Sequence, residues 1–384
     1  MPFGVTLNQT ILVPFPLESC LSGAFRWPLY SRFLWYRTLF DAPASDAAGG
    51  AVLLHFGAVD WNSTVYLNGA LLGRHIGGYD AFSFDVTAAL KPTDNELIVA
   101  VFDPSEKGDN PAGKQWIAAI AGPGSVFYTP NSGIWQTVWL ETVPAFHVTA
   151  LKVRGDTQRL FLSVSAAPAT VPGLVSGTVS LAGVNVTTFS GVSGGEIVVD
   201  IPNPSLWAPG SPTLYDLSVT LTEPSTGASD TVGSYFGMRE VGKANFTNKA
   251  GDPVVRPTLN GKELFLSGVL DQRFFPDGIY TAPADAALAN DIETMLAYGF
   301  NAIRGHQNYG SNRWFYHADR LGMVVLQDMV GIMAWNDGSL NKTLAKQNFL
   351  ADFKTMIDER YNAPSIVQWT AFNEGDCVQR TYPK

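Results

Sequence analysis

SIVQWTAFNEGD, residues 365–376, runs as an unbroken apolar strand and then finishes on Asn373-Glu374. A continuous apolar run fits a strand covered on both faces, as in a parallel sheet packed between helices. The preceding residues alternate in the same sense. ELFLSGVL (263–270) reads as a strand, and PADAALANDIETMLAYGF carries a helical period over 283–298 with Gly299 as its stop. FNAIRGH, MVVLQD and SIVQWTAF follow as strands, separated by SNRWFYHADRLG and NKTLAKQNFLADFKTMIDERYN as helices. Strands alternating with helices mean βα units on a parallel sheet. The segment 244–384 therefore reads as the first four strands of a (β/α)8 TIM barrel.

In such barrels the catalytic groups sit at the C-terminal ends of the strands. Each strand here ends in a polar group: Asp271, then Arg304 with His306, then Asp328, then Asn373-Glu374. Any one of these fits a salt bridge or a helix cap equally well; the four together favour an active-site rim. A carboxyl placed by an apolar strand at the mouth of a partly dry cavity has its pKa raised, so Glu374 can remain protonated near neutrality and protonate a leaving-group oxygen. Asn373 beside it can both donate and accept, which suits a sugar hydroxyl. A guanidinium such as Arg304 can hold a second carboxylate ionised.

Upstream the period changes from helical to strand-like. WYRTLF, AVLLHFGAV, STVYLNGALLGR, AFSFDV, NELIVAVF and GIWQTVWLE read as short strands, with Asn68-Gly69 the signal of a two-residue hairpin turn. Residues 1–145 are thus expected to form a jelly-roll β-sandwich. The long Gly- and Pro-containing loop 104–131 is of a kind that is usually functional or mobile, and it could reach the barrel. HVTALKV, RLFLSVSA, GLVSGTVSL, GEIVVDI, LYDLSVTLT and TVGSYFG, spaced by about ten residues, point to an immunoglobulin-like sandwich over 146–243.

Composition sets the excluded classes. Hydrophobic residues make up 46% of the 384 and charged residues 15%, which argues for packed domains and against disorder. The 23 Phe, 13 Tyr and 10 Trp suit a core, and also faces that stack on sugar rings. A net charge of −9 without any basic run disfavours nucleic acid. The uncharged stretch 115–140 is broken by Gly122, Pro123, Gly124, Pro130 and Gly133, so it reads as loop and strand rather than a membrane span. Cys20 and Cys377 read as two unpaired thiols. Five N-x-[ST] sequons, at Asn8, Asn62, Asn185, Asn245 and Asn341, lean toward an extracellular history, although the first residues carry no signal-peptide pattern. No spacing of His, Asp and Glu calls for a metal and no cofactor is expected, with dependence on a bound cation left open.

The blocks LNGKELFLSGVLDQRFFPDGIYTAPADAALANDIETMLAYGFNAIRGHQNYGSNRWFYHADRLGMVVLQDMV and NAPSIVQWTAFNEGD resemble glycoside hydrolase family 2, the β-galactosidase, β-glucuronidase and β-mannosidase group. WNSTVYLNGALLGRHIGGYDAFSFDVT and SGIWQTVWLE are similar to its N-terminal sugar-binding-like domain, and WAPGSPTLYDLSVTL to its middle sandwich. The resemblance covers the chain from about residue 34 onward, in the family's order. It implies retaining hydrolysis of terminal β-glycosides, with Glu374 as general acid/base, Asn373 on the sugar 2-hydroxyl and Arg304 ordering the nucleophile. His306, Asp271, Asp328 and Trp369 would line the sugar site. Two departures bear on this: Arg304-Gly305-His306-Gln307 replaces a family segment ending in His-Tyr, and Leu326 stands where the family has Trp.

Retaining hydrolysis needs two carboxyl groups about 5 to 5.5 Å apart, and the family's nucleophilic Glu comes from the seventh strand. The 144 residues of 241–384 hold four strands, whereas a full barrel takes about 250 residues. The nucleophile is therefore expected to be absent from this chain, which by itself would be inactive. Two other readings stay open: a non-catalytic carbohydrate-binding protein, and a half-barrel active only on pairing with another chain through its open sheet edge.

Overall fold

The computed structural model describes residues 7, 9–26, 32–43, 50–120, 126–169, 171–332 and 341–373. Glu374, Cys377 and Asn8 lie outside the described residues.

Two antiparallel sheets face each other at the N-terminal end. One has the order Phe33–Phe40, Asn95–Phe102, Asn62–Leu67, Ala70–Ile76; the other has Phe82–Asp85, Ala51–Phe56, Val138–Val143. Along Ala51–Phe56 and Asn62–Leu67 every second side chain is buried, as the two-residue strand period requires. Leu54, Phe56, Val65, Leu67, Val99 and Val101 fill the space between the sheets. Asn68 at φ 52° and Gly69 at φ 83° make the tight turn that joins Asn62–Leu67 to Ala70–Ile76.

A second sandwich packs His147–Gly155, Arg159–Ala167 and Glu196–Asp200 against a sheet of order Val184–Val192, Leu174–Leu181, Tyr215–Thr222, Ser229–Phe236. Its core is Leu160, Leu162, Val175, Val179, Leu217, Val219 and Leu221. Val184–Val192 is a strand the sequence reading did not anticipate. It lies at a sheet edge and buries only Phe189, so it shows little apolar alternation. A three-stranded hairpin unit, Val241–Thr247, Pro253–Leu259 and Lys262–Glu263, then leads into the βα segment. The expected first barrel strand is shorter than its apolar run, because Lys262–Glu263 pairs within this hairpin unit.

The βα segment runs β1 (Gly268–Asp271), α1 (Asp285–Ala297), β2 (Ala302–Gly305), α2 (Asn312–Leu321), β3 (Val324–Asp328), α3 (Lys342–Glu359) and β4 (Ile366–Thr370). The four strands are parallel neighbours in that order. Each helix has a local reason for its ends. Gly299 at φ 86° and Gly322 at φ 80° supply the left-handed residue that stops α1 and α2. The Asn341 side chain accepts the Leu344 N–H at 3.2 Å and caps α3.

The sheet has two differently filled faces. On the helix side Val269, Ile303 and Val325 pack with Ile292, Trp314, Phe315 and Ala318. On the other side Ala302, Val324 and Leu326 meet Trp207 from the second sandwich and Leu259 from the hairpin. Trp207 is fully buried, and its indole N–H donates to Asp319 O at 2.7 Å. This plug fills the lower layer of the inner face and leaves the polar strand ends above it.

Candidate active site

Side-chain alternation decides which strand-end groups can meet. In β2, Ile303 turns to the helices, so Arg304 turns to the inner face beside Leu326 of β3. Two residues further along β3, Asp328 shares that face. Arg304 Nε donates to Asp328 Oδ1 at 3.1 Å and Oδ2 at 2.9 Å, with Nη2 2.8 Å from Oδ2. His306 Nδ1 lies 2.7 Å from Oδ2. With an ionised carboxylate as acceptor, Nδ1 carries the proton and Nε2 is the ring's remaining hydrogen-bonding atom. Arg304 Nη2 also donates to Asn373 Oδ1 at 2.9 Å, which leaves the Asn373 amide N–H groups as donors.

The electrostatics follow from this packing. The Asp328 side chain is 1% exposed. Burial pushes its carboxyl up, but hydrogen bonds from His306 and Arg304 and their charges outweigh burial and hold it below the usual carboxylate range. Arg304, in contrast, keeps 37% of its side chain exposed. The result is a cation fixed on its inner side by a buried anion, presenting its other edge outward next to a primary amide.

Arg304, His306, Asp328 and Asn373 are thus brought into one hydrogen-bonded group. Asp271 and Trp369 are placed behind it. Asp271 Oδ1 accepts the Arg273 N–H at 2.8 Å, while its backbone carbonyl accepts the His306 N–H at 2.9 Å. Asp271 lies two residues beyond Val269, which packs on the helix side, so strand alternation turns it to that side as well. A bulge between β3 and β4 pairs Leu326 with Gln368 and Gln327 with Trp369. Trp369 consequently packs with the helix-side core.

The sequence reading missed a supporting layer. Arg273 is 6% exposed and lies 3.9 Å over the Trp314 ring. Its Nη1 donates to Asn308 O at 2.7 Å and Gln327 Oε1 at 3.0 Å, and burial lowers its pKa to about 10. Gln327 Nε2 in turn donates to Asp328 O at 2.7 Å. This layer ties the loops after β1 and β2 to the end of β3. The available signal was a glutamine inside the apolar run MVVLQD, since a buried amide needs partners. Among the described residues no group of three or more His, Cys, Asp or Glu side chains could hold a metal ion. None of the described helices is long and apolar enough to cross a membrane.

Two sandwiches ahead of a βα sheet with polar strand ends are the architecture of a multidomain glycoside hydrolase. Three family models match the chain in order: the glycosyl hydrolase 2 galactose-binding domain-like model over 22–128, glycosyl hydrolases family 2 over 166–239, and the family 2 TIM barrel domain over 256–383. The chain belongs to glycoside hydrolase family 2. A provisionally named β-glucuronidase of Formosa agariphila is 29% identical over 333 residues, covering 84% of this chain and 37% of that protein. A β-galactosidase of Thermoanaerobacter pseudethanolicus is 26% identical over 353 residues, covering 87% of this chain and 44% of that protein. Among solved structures, the Bacteroides uniformis β-glucuronidase superposes with a TM-score of 0.76 at 26% identity, covering 98% of this chain and 45% of that one. The Ruminococcus gnavus β-glucuronidase in complex with D-glucaro 1,5-lactone shares the fold at a TM-score of 0.79 and 22% identity, covering 97% and 62%. The chain spans less than half the length of the two curated relatives.

Proposed function

We propose that this chain carries the sugar-binding and acid/base side of a retaining β-glycosidase active site. The observation that supports it is the fixed group of Arg304, Asp328 and His306 with the Asn373 amide at its outer edge. A pyranose hydroxyl can accept from Arg304 and from Asn373 Nδ2 without either side chain reorienting, which is the preorganisation that binding rewards. Glu374, the next residue, acts as the acid that protonates the leaving oxygen and then as the base that activates water.

Asp328 and Asp271 do not supply the second carboxylate. Both oxygens of Asp328 already accept from Arg304, its side chain is 1% exposed, and a nucleophile must reach the anomeric carbon. Asp271 shares the parity of Val269 and so faces the helices. Neither carboxylate is offered as the nucleophile, so the role proposed here is binding of a terminal β-glycoside and the acid/base step. The R. gnavus relative, bound to D-glucaro 1,5-lactone, suggests that lactone as a first probe.

Calorimetric titration tests the reading. D-glucaro 1,5-lactone or methyl β-D-galactoside is expected to bind saturably, and Arg304→Gln to weaken binding by about tenfold or more, the worth of a hydrogen bond to a charged group. Absence of binding by either compound would overturn the proposal.

A further inference from the structure

The described parts of the loop 104–131 of the N-terminal sandwich, residues 104–120 and 126–131, form a finger on the βα sheet. Lys114, Trp116 and Tyr128 pair through backbone bonds, Trp116 N to Tyr128 O and Tyr128 N to Lys114 O, both at 2.9 Å. The buried Gln115 side chain pins the base. Its Nε2 donates to Asp60 Oδ2 at 2.8 Å and its Oε1 accepts the Asn131 N–H at 2.7 Å. The finger then touches the residues that follow three successive strands. Ala112 and Gly113 donate their N–H groups to Gly331 O after β3, at 3.1 and 3.0 Å. A Cβ on Gly113 would lie 2.3 Å from Gln307 O after β2. After β1, the Tyr128 hydroxyl donates to Gln272 Oε1 at 2.5 Å, and the Tyr128 ring stacks on Phe274 at 4.1 Å.

The position of Gln272 gives this contact its meaning. Gln272 directly follows the C-terminal end of β1, so the contact puts Tyr128 at the rim of the sheet where β2 and β3 carry Arg304 and Asp328. Tyr128 is 37% exposed, with one face on Phe274 and its hydroxyl already bonded. What it offers a ligand is therefore a flat, prepositioned π face, and stacking on it immobilises nothing further.

We infer that Tyr128, lent by the N-terminal sandwich, is a specificity-determining wall for the leaving group, selecting β-glycosides whose aglycone is a planar aromatic ring. The inference rests on the glycoside reading above. Its test uses the whole chain and two pairs of probes: phenyl and methyl β-D-glucuronide, and phenyl and methyl β-D-galactoside. In the unaltered protein the phenyl member of the binding pair is expected to bind about tenfold more tightly than the methyl member, the scale of one ring stack. Tyr128→Ala should collapse that ratio to near one, and Tyr128→Phe, which keeps the ring, should retain it. A ratio near one in the unaltered protein, or one that survives in Tyr128→Ala, would refute the wall while leaving the glycoside reading intact. Failure of all four probes to bind would refute both.

Discussion

At the scale of single residues, charge placement carries the account. Asp328 is a buried anion with two cationic or donor partners, and removing one side of such a group leaves the other uncompensated. Asp328→Asn presents an amide where Arg304 and His306 both need an acceptor. It should lower unfolding free energy by about 3 kcal/mol in urea titration, and abolish glycoside binding. Asp319 on α2 shows the opposite titration. Burial raises its carboxyl from 3.8 to about 7, against bonds donated by Ser365 N at 2.9 Å and the Tyr235 hydroxyl at 2.8 Å. Burial likewise raises Glu18 to about 8 and Asp103 to about 6. A carboxyl that binds its proton more tightly in the fold contributes fully below its unfolded pKa, and that contribution is lost as pH rises through the folded value. Asp328, held low, contributes above the ordinary carboxylate value and loses that contribution as pH falls through its lowered one. Thermal stability is therefore expected to be greatest in mild acid and to fall from pH 5 to pH 8. Asp319→Asn, which mimics the protonated form, should flatten that fall; an equally steep fall in the variant would exclude Asp319 as a source.

At the scale of elements, the pattern of strands and helices was largely legible and the faces were not. The two-residue period of Ala51–Phe56 and the apolar runs of β3 and β4 are local properties, visible in the chain without its partners. A bulge is not local. The register shift opposite Val325 and Leu326 sends Trp369 to the helices, and nothing within SIVQWTAF announces it. Arg273 was missed for a related reason: its partners Asn308, Trp314 and Gln327 are 35 to 54 residues away. The placement of Arg304 and Asp328 could be read because both end apolar strands on the same parity. The finger is an element whose fit depends on one backbone conformation. Gly113 has φ 59° and no room for a Cβ beside Gln307 O. Gly113→Ala should destabilise by about 2 kcal/mol through overpacking and speed proteolysis within 104–131. Unchanged cleavage would show that the finger is not clamped there.

At the scale of the molecule, the sandwiches grip the βα sheet from both ends. Tyr79 and Trp135 of the first pack with Tyr280, Tyr309, Met329 and Val330 near the strand ends. The second holds the opposite end through Trp207 and through Arg239, which donates to Pro364 O at 2.9 Å and Ile366 O at 2.8 Å. Trp207→Ala should therefore cost about 3 to 5 kcal/mol and loosen β2 and β3 as well as the sandwich, read as faster amide exchange at Ile303 and Val325. Exchange confined to the sandwich would contradict a shared core. The central claim is that the strand ends of this sheet bind the sugar. Its most direct test is a crystal structure of the chain grown with phenyl β-D-glucuronide or phenyl β-D-galactoside at saturating concentration. The expected result is a pyranose within hydrogen-bond distance of Arg304 and Asn373 Nδ2, with its aglycone toward Tyr128. A ligand bound only elsewhere, or no ligand at all, would contradict the account.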